Sequence, residues 1–189
     1  MPANKIIIIT APSGAGKTSI THYLLQQFPQ LSFSISATTR KPRATERDGL
    51  DYYFLEEADF RQRIQNHDFL EWEMVYEGKY YGTLRTELDR MWREGKTPVL
   101  DIDVKGALHV QQEYPNNCLS LFIKAPSVDE LRRRLESRGT ETAETLHTRI
   151  SKAAYEMSFA HEFNAIIVND DLEKARQEAA AIIEKFLES

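Results

Sequence analysis

Residues 5–18 read Lys5-Ile6-Ile7-Ile8-Ile9-Thr10-Ala11-Pro12-Ser13-Gly14-Ala15-Gly16-Lys17-Thr18. An unbroken β-branched run is what a strand covered on both faces requires. It feeds a loop of small residues ending in Lys-Thr. Gly14 and Gly16 let that loop curl with successive N–H groups pointing inward, the geometry that cradles phosphate. A helix starting near Lys17 adds its positive end, and the Lys17 ammonium can reach the β and γ phosphates of a nucleotide. The Thr18 hydroxyl can bind a Mg²⁺ that bridges them. The phosphate-loop pattern is G-x-x-x-x-G-K-[ST], and its first glycine position holds Ala11. A methyl group there requires φ to be negative.

Working outward, apolar strands alternate with amphipathic helices. The first helix carries Ile20, Leu24 and Phe28 at four-residue spacing and stops before Pro29. Leu31–Ser36, Thr97–Asp103, Leu119–Lys124 and Ala165–Val168 read as further strands. Ser127-Val128-Asp129-Glu130 has the form of a capping box opening a helix through Leu131 and Leu135. A closing helix places Ala175, Ala179, Ile182, Ile183 and Phe186 on one stripe. Five strands separated by helices predict an α/β fold: a parallel sheet with helices on both faces and right-handed crossovers. The stretch from about Arg40 to Lys96 breaks the rhythm. It holds strand-like pieces at Asp51–Leu55, Phe69–Tyr76 and Lys79–Tyr81 and helices at Glu57–Asn66 and Leu84–Glu94. It reads as a mixed α+β lobe inserted between two core strands, at residues 37–96, with residues 1–36 and 97–189 forming the core. Ligands of a parallel sheet sit at the strands' carboxyl ends, where such a lobe could close over the phosphate loop.

The bulk numbers fit this reading. The chain has 189 residues, 41% apolar and 28% charged, which suits one domain with an insertion. A formal charge of −5 gives no push toward nucleic acid or anionic membrane. Cys118 is the only cysteine, so no intrachain disulfide is possible. No signal-peptide pattern opens the chain and no apolar run approaches membrane-spanning length. A cytoplasmic location is the expectation.

Several clusters carry chemistry. In Ser36-Ala37-Thr38-Thr39-Arg40-Lys41-Pro42-Arg43, two arginines three apart on a proline-fixed loop can grip one phosphate dianion; the alternative is a solvated basic loop. Asp51-Tyr52-Tyr53-Phe54 and Gly78-Lys79-Tyr80-Tyr81-Gly82-Thr83 supply tyrosines. Strand alternation sends neighbours to opposite faces, so one of each pair faces a ligand and the other packs a core. Phe69-Leu70-Glu71-Trp72 places a carboxylate in an apolar strand, where it needs a partner if buried; the alternative is a surface Glu on an edge strand. Guanine presents N1–H and N2–H₂ side by side and suits it; adenine offers an acceptor at N1. Asp101 and Asp103 end a buried strand. One can help organise hydrated Mg²⁺ and the other can face the lobe, or one can cap the next helix. Arg134 and Arg138 share a helix face ahead of a break at Gly139, and Arg149 follows. Such arginines can neutralise charge on a transferring phosphoryl group. The five histidines are scattered, without metal-ligand spacing, and no nucleophile–base pair is evident.

At this point the chain resembles the guanylate kinase family along nearly its full length. The resemblance rests on Ala11–Thr18, Ser36–Arg43 with Asp51-Tyr52, Phe69–Trp72, Tyr80–Thr83, Leu100–Gly106, Arg134–Glu141 and Ile167–Asp171. It implies a P-loop core, an inserted GMP-binding lobe and a short helical lid at about 138–149. It also implies the reaction ATP + GMP → ADP + GDP with Mg²⁺, with dGMP as a further acceptor. By the resemblance, Ala11, Pro12, Ser13, Gly14, Ala15, Gly16, Lys17 and Thr18 match the ATP-phosphate loop, with Asn169 on the adenine side. Thr18, and Asp101 through water, match the metal positions. Arg40, Arg43, Tyr52 and Tyr81 (Tyr80 its alternative) match a clamp on the GMP phosphate. Ser36, Glu71, Thr83 and Asp103 match guanine recognition. Lys17, Arg134, Arg138 and Arg149 match the basic residues around the transferred group. The implied partners are small nucleotides, with the chain a monomer or homodimer. Scaffold-protein domains that resemble the same family but bind protein ligands are the alternative.

Overall fold

The computed structural model describes residues 4–137 and 142–189. Its core is a five-stranded sheet in the order β2 (Leu31–Phe33), β7 (Thr97–Leu100), β1 (Ile6–Thr10), β8 (Cys118–Lys124), β9 (Ala165–Val168). Every pairing in it is parallel. β1 lies at the centre, which explains its sequence: all five residues are buried. Ile7 and Ile9 pack against α1 (Lys17–Gln27) and α7 (Leu172–Glu188) through Leu24, Ala179 and Ile183. Ile6 and Ile8 face the other way, toward Leu88 of α3 (Arg85–Arg93) and Val110 of α4 (Val104–Glu113). A strand covered on both sides has no polar face to show. Cys118 is buried, and burial pushes its thiol up to about 12.

A second, mixed sheet is built from residues between β2 and β7, in the order β4 (Tyr53–Phe54), β3 (Ala37–Thr38), β6 (Lys79–Leu84), β5 (Phe69–Tyr76). One face packs on α2 (Glu57–Gln65), where Phe60 stacks on Phe69 with ring centroids 4.2 Å apart and on Tyr80 at 5.3 Å. The opposite face is open to the core sheet's carboxyl edge.

Several boundaries and one cap differ from the sequence expectation. The second core strand ends at Phe33, not Ser36, because the chain leaves the core sheet there to enter the second one as β3. The strand expected over Thr97–Asp103 ends at Leu100; Asp103 instead caps α4, its Oδ1 accepting from the Gly106 N–H at 2.8 Å. Ser127 caps α5 (Val128–Glu136) through the Glu130 N–H at 3.1 Å, but the Glu130 carboxylate bonds Arg133 and Arg134 rather than completing a box. A reciprocal box does open α6 (Ala143–Ser158), between Thr142 and Thr145. Of the expected lid, residues 138–141 lie outside the described residues, and residues 142–149 are this helix start.

Candidate active site

The loop between β1 and α1 turns on two left-handed glycines, Gly14 at φ 91° and Gly16 at φ 97°. His67 is the only non-glycine at positive φ among the described residues, so Ala11 sits at a φ its methyl group tolerates. This loop, with Lys17, Thr18, Asp101, Asp103 and Arg149, walls a cavity of about 450 Å³ at the carboxyl end of β1. The Lys17 ammonium bonds the Asp101 carboxylate. Arg149, on α6, donates from Nη1 to Ser13 Oγ at 2.9 Å and so brings that helix over the loop.

Two charged residues in this wall escaped the sequence reading. Lys152 and Glu156 follow Arg149 by three and seven positions, one helical face, and both line the cavity. That spacing was the available signal. Burial, with the nearby Asp103, pushes the Glu156 carboxyl upward. Three residues expected at the donor phosphates or adenine stand otherwise. Ala15 is fully buried. Arg134 bonds Glu130 and the Asn169 carbonyl, and Asn169 is buried against the loop backbone; none of the three lines the cavity. Arg138 lies outside the described residues.

The open face of the second sheet gathers the other group. Tyr81 and Thr83 are two apart on β6, and β5 places Glu73 opposite Tyr81 and Glu71 opposite Thr83. Tyr80 points the other way, into the core under α2. Thr83 donates its hydroxyl proton to Glu71 Oε1 at 2.6 Å. Burial pushes the Glu71 carboxyl up to about 7 and the neighbouring Asp103 charge adds to this, against the Thr83 hydrogen bond. Helix α4 comes close here because residue 106 is glycine: a Cβ would stand 2.9 Å from Glu71 Oε2. Glu73 is a further carboxylate on this face that the sequence reading passed over. The neighbouring Asp103 carboxyl, helped by burial, drives its pKa upward. Asp103 therefore both caps α4 and faces the lobe. Alternation along β5 from Glu71 was the signal for Glu73.

At the far end of the same face, Arg40 lies 4.8 Å over the Tyr52 ring, and Tyr52 meets Tyr81 edge-on at 6.1 Å. Ser36 precedes β3 and holds the Tyr53 N–H through its carbonyl at 2.9 Å. The Arg40 guanidinium makes a two-pronged pair with Glu46, at 2.6 and 2.7 Å. Glu46 also accepts from the Arg43 backbone N–H at 2.8 Å. These bonds, Arg40 first, hold the Glu46 carboxyl down to about 2. The Arg43 side chain is exposed. Glu46 also escaped the sequence reading: nothing in its neighbours distinguishes it from a solvated charge. A guanidinium matches carboxylate and phosphate in the same fork geometry.

Comparison with known proteins agrees with this architecture. The family model described as "Guanylate kinase" matches residues 3–186. The guanylate kinase of Bacteroides fragilis is 50% identical over 97% of this chain and 90% of its own length. That of Salinibacter ruber is 49% identical over the whole of both chains. The crystal structure of guanylate kinase from Anaplasma phagocytophilum superposes with a TM-score of 0.75 at 29% identity, covering 98% of this chain and 87% of that one. Relatives at half identity over full length, on top of a matching fold and loop, establish that the chain belongs to the guanylate kinase family of nucleoside monophosphate kinases.

Proposed function

We propose that this protein transfers the γ-phosphoryl group of ATP to GMP, and to dGMP, giving ADP and GDP. The observation that carries the reading is the pairing of a cationic glycine-turned loop with an acidic sheet face across one residue, Asp103. Residues 37–96 act as the acceptor lobe and the rest of the chain as the donor core. The loop N–H groups and Lys17 bind the donor phosphates, with Lys17 exchanging Asp101 for phosphate oxygen. Arg149 reaches the same phosphates from α6. Arg40, Arg43, Tyr52 and Tyr81 hold the acceptor phosphate. Glu71, ionised, accepts from guanine N1–H and N2–H₂, while Thr83, Ser36 and Asp103 complete the base site. Phosphoryl transfer of this kind needs positioning and charge neutralisation rather than a covalent protein intermediate.

The donor set suits Mg²⁺. The Thr18 hydroxyl and the Asp101 carboxylate are oxygen donors on the cavity wall. No group of three or more His, Cys, Asp or Glu able to cage a metal is found among the described residues. A hard ion that keeps several waters and takes its other ligands from nucleotide phosphates matches such a sparse set. When bound, it would screen charge on the β and γ phosphates.

The deciding experiment is a coupled assay of ADP release with GMP, dGMP, AMP, CMP and UMP as acceptors. GMP-dependent turnover that vanishes without Mg²⁺ is expected. Turnover with another monophosphate in place of GMP, or none with any, overturns the reading; no turnover combined with protein-ligand binding would favour the scaffold-type alternative.

A further inference from the structure

We propose that Asn169 is a positioning residue of the phosphate loop, acting through the Ala15 carbonyl and Gly16. The proposal rests on the donor site described above and changes how one of its residues works. Asn169 follows β9 directly and is buried. Its Nδ2 donates to the Ala15 carbonyl at 2.8 Å. A carbonyl only accepts, so the amide nitrogen must be the atom facing it. The same Nδ2 lies 2.2 Å from where a Cβ on Gly16 would sit. The side chain therefore fills the volume that Gly16 leaves empty and ties down the carbonyl on its N-terminal side.

The backbone of Asn169 is held as firmly. Its N–H donates to the Lys124 carbonyl at 2.8 Å, at the end of β8. Its own carbonyl accepts from Arg134 Nη2 at 2.9 Å, while Arg134 Nε bonds Glu130 at 2.8 Å. One residue thus joins the loop, two adjacent core strands and α5. A loop that cradles phosphate must hold its N–H groups inward before ligand arrives, because ordering them on binding would cost affinity. Turning the Ala15 carbonyl moves the Ala15–Gly16 peptide, and with it the Gly16 N–H. A contact through the loop acts on phosphate whatever base is attached; a contact with adenine acts on adenine alone.

The test uses Asn169→Asp, which keeps the shape and sets an oxygen against the Ala15 carbonyl, and Asn169→Ser, which removes the bond with a smaller change. The Michaelis constant for ATP and the inhibition constant of inorganic tripolyphosphate against ATP are measured on wild type and both variants, with GMP affinity by calorimetry. Both donor-site constants are expected to rise together, about 10- to 100-fold for Asn169→Asp and less for Asn169→Ser, with GMP affinity within twofold. A rise confined to ATP would assign Asn169 to the base and overturn the proposal, as would no rise in either. Loss of GMP affinity as well would mean general unfolding, in which case Asn169→Ser decides by the same comparison. A wild-type protein without GMP-dependent turnover would instead overturn the proposed function, and tripolyphosphate binding, followed by calorimetry, would still report on the loop.

Discussion

At the scale of the residue, Glu71 shows how environment sets chemistry. Its carboxyl is pushed up to about 7 by burial, with Asp103 adding and Thr83 opposing. In the ligand-free chain it is therefore half protonated near neutrality. Guanine offers two N–H donors and needs the ionised form. GMP binding at pH 6.5–7 should then release close to half a proton or more, read by calorimetry in buffers of different ionisation enthalpy, and GMP affinity should climb as pH rises from 6 to 8. A pH-independent affinity with no proton released would remove Glu71 from the base site. Stability runs the opposite way. The folded pKa lies above the unfolded value, so Glu71's contribution is complete below about 4.5 and is lost as pH rises through about 7. Glu71→Gln keeps the shape and one acceptor. It should lower kcat/KM for GMP by about 10- to 100-fold, the worth of a hydrogen bond to a charged group, while leaving the melting temperature equal or higher. The residue's burial and need for a partner were readable from its sequence setting, a carboxylate within Phe69–Trp72. Glu46 and Glu73 were not readable in the same way, since their partners, Arg40 and Asp103, are brought to them only by the turn of the loop and the register of β5 on β6.

At the scale of the element, the junctions decide. Gly14 and Gly16 both have positive φ, but they differ in what surrounds them. A Cβ on Gly14 would stand 3.1 Å from Leu135 Cδ2, the tip of a flexible side chain, whereas one on Gly16 meets Asn169 at 2.2 Å. Each alanine costs about 1–2 kcal/mol of left-handed strain; Gly16→Ala must displace Asn169 as well. It should therefore lose more ATP affinity and more thermal stability than Gly14→Ala, and equal losses would show that φ alone matters. A second junction lies where α3 meets both sheets. Glu87 is buried and receives the Tyr53 hydroxyl at 2.8 Å, the Ile35 N–H at 3.3 Å and two Arg90 nitrogens at 2.8 and 3.0 Å. Burial pulls its pKa up, but these partners, Arg90 foremost, outweigh it and leave the value below normal. Its contribution is thus present above about 4.5 and fades as pH falls through its folded pKa. Glu87→Ala leaves the Tyr53 hydroxyl and the Ile35 N–H without their partner, while Arg90 keeps Glu94; it should cost about 2–4 kcal/mol, roughly 4–16 °C in melting temperature for a chain of this size. A loss under 2 °C would mean the network is not holding the junction. Elements with long apolar or amphipathic patterns, β1, β8, α1 and α7, were legible in the sequence. The two-residue strand β3 was not legible, because so short a segment carries no period and takes its conformation from its neighbours; β4 falls within the Asp51–Leu55 strand expectation but is shorter than it.

At the scale of the whole molecule, two cationic groups and one acidic face are arranged around a chain that is net negative. In the ligand-free form each cation already holds a carboxylate, Lys17 with Asp101 and Arg40 with Glu46. Under the proposed function phosphate would enter by exchange, each ligand replacing an internal pair rather than simply filling space. The parallel sheet and the site's location at its carboxyl edge followed from the alternation of strands and helices. That the lobe could close over the loop was also legible, but that Asp103 would line the cavity as well as face the lobe was not, since it serves both only once β5 lies beside the start of α4. That shared residue has a consequence for the molecule as a unit. Asp103 lines the donor cavity, and its charge acts on Glu71 and Glu73 of the lobe. If donor and acceptor bind to one common arrangement of core and lobe, the first ligand bears the ordering cost and the second does not. Each ligand alone, at about 100 times its dissociation constant, should stabilise by about 2.7 kcal/mol, or roughly 5–10 °C. Together, GMP and a non-hydrolysable ATP analogue should raise the melting temperature by clearly more than the sum of the separate shifts. The same pair should also shrink the radius of gyration measured by X-ray scattering more than either ligand does. Strictly additive shifts with an unchanged radius would mean that core and lobe bind their nucleotides independently, and that Asp103 is a shared wall without being a coupling.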